Sequence, residues 1–210
     1  MADASGHADI RRDFAAALVH LRARDTALAA LIERVGPYPL RPSRGPFEVM
    51  LRTIVSQQLS TRAADTIYRR LAAAMGSGRP RPESVLALSG PALRGCGLSR
   101  SKSLYVRNVA EAFLGANHTR RSFATLGDDA VIQSLTSIKG VGEWSAHMFL
   151  IFALHRTDVF PIGDLGLRRA MMQTYRLRAG TREARLHRIA EAWRPYRSVG
   201  TLYMWRSLDG

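Results

Sequence analysis

Between Leu135 and Leu154 the chain reads LTSIKGVGEWSAHMFLIFAL, two apolar helical stretches joined through Gly140-Val141-Gly142. Glycine enters left-handed backbone conformations at little cost, so such a joint can turn tightly. The second helix starts at Gly142–Glu143 with backbone N–H groups that its own carbonyls cannot satisfy, and the helix dipole adds positive potential there. That is an anion site, and with no side chain at Gly140 or Gly142 a phosphate can come close to the backbone. Lys139 places a cation beside it. At the other edge of the joint, the carbonyls of Thr136, Ile138 and Val141 suit a monovalent cation that would further offset phosphate charge. The same residues also describe an ordinary αα-turn, with Glu143 a first-turn carboxylate and Trp144 a core aromatic. Asp164 stands before the next helical pattern and, taken alone, is a helix N-cap.

Composition narrows the partner. Lysine and arginine number 31 against 17 acidic residues, a formal charge of +14 with a pI near 11.3. Such a balance points to a polyanion, most commonly nucleic acid, although an arginine-rich proteome would produce it too. Lys102 and Lys139 are the only lysines, so chemistry that needs an amine has two candidates. One cysteine, Cys96, excludes an intramolecular disulfide and a cluster held by four thiolates of this chain. The six histidines show no HxxxH or HExxH spacing, which argues against zinc. The first residues, MADASGHADIRRDF, are polar, and no run of eighteen apolar residues follows. The reading is therefore a protein that stays inside the cell, cytoplasmic in a bacterium or nuclear in a eukaryote, with no membrane partner.

The elements that position these residues read as helices throughout. Asp9–Arg24 carries Ile10, Phe14, Leu18 and Leu21 at helical spacing, and Asp25 can cap a second helix that ends at Gly36-Pro37. Tyr38–Pro46 reads as a proline-rich linker and Gly76–Pro82 as a loop. Helices are expected over 47–57, 60–75, 82–88, 91–94, 101–114, 128–137, 143–154, 166–175, 182–193 and 199–207. No period-2 strand and no repeat emerges. The fold class is all-α.

Around the glycine joint, the order of motifs resembles the helix-hairpin-helix DNA glycosylase superfamily: hairpin, second helix, short loop, then an aspartate at the next helix start. Asp164 follows Trp144 by twenty positions, which fits that arrangement. FEVMLRTIVSQQLSTRAADTIYRRL (Phe47–Leu71), GLSRSKSLYVRNVA (Gly97–Ala110) and WRPYRSVGTLYMW (Trp193–Trp205) look like its 3-methyladenine (alkylpurine) glycosylase II branch, in the compact form without an N-terminal β subdomain. The resemblance implies one two-lobed helical domain with a DNA-binding cleft between the lobes, about 47–135 forming one lobe and 1–46 with 136–210 the other.

It also implies an activity and its residues. A monofunctional glycosylase would flip an alkylated purine out of duplex DNA, hydrolyse its N-glycosidic bond and leave an abasic site. Its substrates would be 3-methyladenine and 7-methylguanine, with 1-methyladenine and ethenoadenine as further candidates. Asp164 would be catalytic, its carboxylate stabilising positive charge on the sugar and orienting or deprotonating water. Asp158, in the same loop, reads as structural, tied to the backbone or to an arginine. Gln58, with Leu59 beside it, matches the intercalating wedge; otherwise Gln57 and Gln58 simply end a helix. Trp144 and Trp205 match aromatic pocket positions that attract a cationic base, and Met148 and Leu165 stand where relatives often carry tyrosine. Lyase-competent members carry lysine at the position of Trp144, so water is the expected nucleophile. Lys139 and Lys102 then read as phosphate contacts or surface residues. No cofactor is required beyond the structural monovalent cation at the hairpin, and the expected protein is a monomer acting on double-stranded DNA. The rivals are an oxidised-base or mismatch glycosylase with lyase activity, and a non-catalytic hairpin protein that grips abasic or distorted DNA.

Overall fold

The computed structural model describes residues 9–38, 45–76, 79–115 and 118–208. Among these, thirteen helices form, and the one extended pairing is an isolated bridge between Asp9 and Arg156. The class is all-α, and none of the helices is long and apolar enough to cross a membrane. Parts of the expected linker and loop, residues 39–44 and 77–78, lie outside the described residues.

Side-chain caps set several of the helix starts. Asp25 accepts from the Leu28 N–H at 2.9 Å to start α2 (Thr26–Val35), and Gly36 ends it at φ 73°. Ser60 caps α4 (Thr61–Ala74), which follows α3 (Pro46–Ser56). The first helix, α1 (Phe14–Arg24), starts later than its apolar spacing suggests. Asp9 accepts from the Arg11 N–H, Asp13 accepts from the Asp9 N–H, and Ile10 N–H donates to the His155 carbonyl. Asp9 is held extended by its bridge to Arg156, and 9–13 forms a turn ahead of the helix. A short α8 (Arg120–Ala124) was not expected; Thr119 and Ser122 make it with a reciprocal capping box rather than through apolar periodicity.

The chain divides into two units, one from the terminal segments up to residue 42 and from 155 on, the other from residues 43–154. The terminal unit packs α13 (Arg197–Arg206) against α1, α2 and α11 (Leu165–Thr174). Asp25 ties it together, since its Oδ2 also accepts from the Tyr175 hydroxyl at 2.6 Å and from Trp193 Nε1 at 2.9 Å. Burial, with that carboxylate as acceptor, pushes the Tyr175 hydroxyl far above its ordinary range. Trp193 itself is fully buried against Gly200, where a Cβ would lie 2.7 Å from the indole.

The central unit is built on α3, whose Met50, Leu51 and Ile54 are fully buried. It packs on α4, α7 (Arg100–Gly115) and α10 (Glu143–Phe152). Residues 136–154, expected with the terminal lobe, group with the central unit. The reason is packing: α10 carries Ala146, Phe149, Leu150 and Ile151 fully buried and lies along α3 and α9 (Asp128–Thr136). The Phe149 ring meets Phe123 and Phe113 edge-on at 5.1 and 6.3 Å.

Candidate active site

In the terminal unit, one loop brings two aspartates before α11, and their surroundings separate them. Asp158 is clamped by Arg197 Nε and Arg194 Nη1, both at 2.7 Å, and its carbonyl accepts from Arg197 Nη2 at 2.8 Å. A carboxylate neutralised by two guanidiniums holds a loop in place. Asp164, half-buried, instead heads α11: its Oδ1 accepts from the Leu167 N–H at 2.6 Å and from Trp205 Nε1 at 2.8 Å. The helix start supplies positive potential to the same group. A Cβ on Gly166 would stand 3.1 Å from Asp164 Oδ1 and 3.6 Å from Trp205 Cδ1, so the small residue there makes room for the bond. This is a fixed anion with a set orientation, suited to stabilising a nearby cation. Leu165, next in line, is 80% exposed.

The indole N–H contact was not legible in the sequence. The sequence offers Trp205 as an aromatic pocket residue; its polar edge is spent on Asp164, 41 residues away. No spacing signal could have shown it, because the two residues lie on different helices.

The central unit holds the glycine joint between α9 and α10. The Val141 N–H donates to the Ile138 carbonyl at 3.0 Å, closing the turn. Only Gly140, at φ 102°, uses the left-handed region; Gly142 is an ordinary extended N-cap at φ −98°. Gly142 is nonetheless open: a Cβ there would meet nothing within 4 Å, and as N-cap it brings no side chain to the α10 amides. Lys139 is exposed beside it. The carbonyls of Lys139 and Gly140 accept from Asn108 Nδ2 and Gln57 Nε2, each at 3.0 Å.

The two glutamines after α3 have different jobs. Gln57 turns inward, bonding the Gly140 carbonyl and the Ser145 hydroxyl. Gln58 is exposed at φ 56°, and Leu59 beside it is 40% exposed. A non-glycine residue held in that conformation costs about 1 kcal/mol or more, so the surrounding bonds impose it. Lys102, expected at a phosphate or on the surface, is half-buried and turns its Nζ onto the carbonyls of Val55 and Gln57 at 2.7 and 2.6 Å. Burial lowers this ammonium from its ordinary value.

On α10, Trp144 is half-buried and Met148 is buried, 6% exposed, so Met148 contributes packing. His147 sits 3.8 Å from Glu143, and its burial outweighs that carboxylate to lower the imidazole from its ordinary value. Among the described residues no cluster of three His, Cys, Asp or Glu is arranged to hold a metal ion.

Comparison with known proteins follows the same lines. Residues 51–195 match the family described as HhH-GPD superfamily base excision DNA repair protein. The chain is 32% identical to DNA-3-methyladenine glycosylase 1 of Schizosaccharomyces pombe, over 90% of this chain and 85% of that protein. It is 29% identical to the alkylbase DNA glycosidase-like protein mag2 of the same yeast, over 92% of this chain and 93% of the relative. Among solved structures, the S. pombe 3-methyladenine DNA glycosylase in complex with abasic DNA superposes with a TM-score of 0.84 at 31% identity, covering 92% of this chain and 97% of that one. With the hairpin, the aspartate-headed helix and the all-α fold in place, the chain belongs to the HhH-GPD superfamily of base excision DNA repair proteins.

Proposed function

We propose that this protein is a monofunctional DNA glycosylase of base excision repair that hydrolyses the N-glycosidic bond of alkylated purines in duplex DNA. The observation that carries the proposal is Asp164, held at the head of α11 by a backbone N–H and an indole N–H in a chain of this family. Breaking the bond builds positive charge on the sugar, and a preorganised carboxylate stabilises it without reorganising. The base must first leave the stack. Gln58, exposed with Leu59 at a strained turn, is the wedge that fills the gap. The start of α10 at Gly142, with the turn of Gly140 and Val141 and the Lys139 cation beside it, receives a DNA phosphate, as the charge of +14 favours.

A monovalent cation at the hairpin would be held by the carbonyls of Thr136, Ile138 and Val141 and would add positive potential toward the phosphate. In the terminal unit Trp205 and Leu165, and in the central unit Trp144 and to a lesser extent the buried Met148, are the residues that would meet a cationic base, the indoles through their electron-rich rings. Trp144 offers no amine and Lys102 is spent on carbonyls, so water is the nucleophile. The protein acts as a monomer in the compartment that holds the genome.

Incubation with methylated duplex DNA tests this reading. Free 3-methyladenine and 7-methylguanine should appear while the strands stay intact until alkali is added. Binding without base release would leave only a DNA-gripping role, and strand breaks without alkali would show a lyase.

Trp205 has a second role to check. Trp205→Phe keeps an aromatic face and loses the N–H on Asp164, and a hydrogen bond to a charged group is worth about 1.5–3 kcal/mol. The single-turnover excision rate should fall roughly tenfold or more. An unchanged rate would reduce Trp205 to stacking.

A further inference from the structure

One face of α7 holds both parts of the central unit that would touch DNA. Lys102, Tyr105 and Asn108 stand three residues apart and share one side of the helix. Lys102 grips the carbonyls of Val55 and Gln57, the last carbonyl before Gln58. The Tyr105 ring fills the space against Gly140, and Asn108 bonds the Lys139 carbonyl. Gln57 closes the circuit from the loop back to the Gly140 carbonyl and Ser145. The wedge loop and the hairpin are therefore braced to one helix and to each other.

We propose that Lys102 is a positioning residue that sets the register between the wedge loop and the phosphate-gripping hairpin, so that it assists base extrusion rather than bond cleavage. The proposal rests on the glycosylase reading above. A wedge helps only if it reaches the gap at a fixed offset from the phosphate that the hairpin holds. If the loop were slack, inserting Gln58 would also have to order its backbone, at about 1–2 kcal/mol per residue. Lys102 removes that cost in advance by holding the carbonyls on either side of Ser56. A lysine that served phosphate directly would keep its ammonium in solvent, whereas this one is turned onto two carbonyls of the loop.

The test uses Lys102→Met, which keeps the aliphatic stem and loses the donors. Asn108→Ala, at a half-buried position near the surface, loosens the hairpin end and serves if the first variant does not fold. Single-turnover excision is measured for one alkylated purine paired with its normal partner, and for the same lesion opposite an abasic site, where no pairing resists extrusion. Loss of a hydrogen bond to a charged group predicts a roughly tenfold slower rate on the paired lesion, with the unpaired lesion processed within about twofold of wild type. A fluorescent adenine analogue at the lesion site should show a matching fall in extruded signal. Equal slowing on both substrates, or a wild-type rate on the paired one, would overturn the register role. A wild-type protein that released no base from either duplex would overturn the glycosylase reading and this proposal together, whereas failure of the register role alone leaves the wild type active.

Discussion

Asp164→Asn should leave a folded, DNA-binding protein that releases alkylated bases at least about a hundredfold more slowly. Asparagine is as good an N-cap as aspartate, so its Oδ1 can go on accepting from the Leu167 N–H and from Trp205 Nε1. What disappears is the negative charge, the one property the transition state needs. Removing a single preorganised electrostatic stabiliser typically costs roughly a hundred- to a thousandfold in rate, which sets the scale. Rapid-quench excision under single-turnover conditions, paired with a binding isotherm and a thermal melt, separates the effects. Asp158→Asn is the control: its carboxylate faces Arg194 and Arg197, so that change should show in the melt more than in the chemistry. Retained activity in Asp164→Asn would remove Asp164 from the mechanism.

Gly140→Ala should be the most damaging small substitution in the hairpin. Its φ of 102° is strained for alanine, and the new Cβ would lie inside the Tyr105 ring and 2.6 Å from the Tyr105 Cβ. Rotating the ring cannot move that last atom, so α7 or the hairpin must shift. Left-handed strain of about 1–2 kcal/mol and overpacking of about 1–3 kcal/mol add to roughly 2–5 kcal/mol. For a protein of this size that is a fall in melting temperature of roughly 4–20 °C, read by calorimetry. Gly142 is the contrast: it lies at φ −98° with nothing within 4 Å of a Cβ. Gly142→Arg should melt like the wild type and bind duplex DNA more weakly, because bulk stands where the phosphate approaches. A wild-type melt for Gly140→Ala would mean the hairpin tolerates a side chain there. Unchanged affinity in Gly142→Arg would take the phosphate away from that amide.

The helices were legible where their signals are local. Asp25, Ser60 and Asp164 each accept from a backbone N–H three residues on, and such caps announce helix starts within a single turn. The same locality misleads when a competing bond comes from far off. Ile10 fits the helical spacing of α1, yet Asp9 is held extended by a bridge to Arg156, and α1 starts at Phe14. The hairpin was legible as a glycine joint, but the letters could not show that Gly140 alone needs the left-handed backbone.

The sequence by itself determined the all-α class, the order of hairpin and aspartate-headed helix, and the absence of an amine at Trp144. Composition, periodicity and capping act over a few residues and leave their mark in spacing. Only the tertiary structure decided that Asp164 is held by Trp205, that Gln57 turns inward while Gln58 stays exposed, and that Lys102 grips carbonyls 47 and 45 residues away. Those contacts join side chains on separately packed helices, whose separation along the chain carries no fixed period. Where an indole N–H or an ammonium finds its acceptor is settled by helix packing.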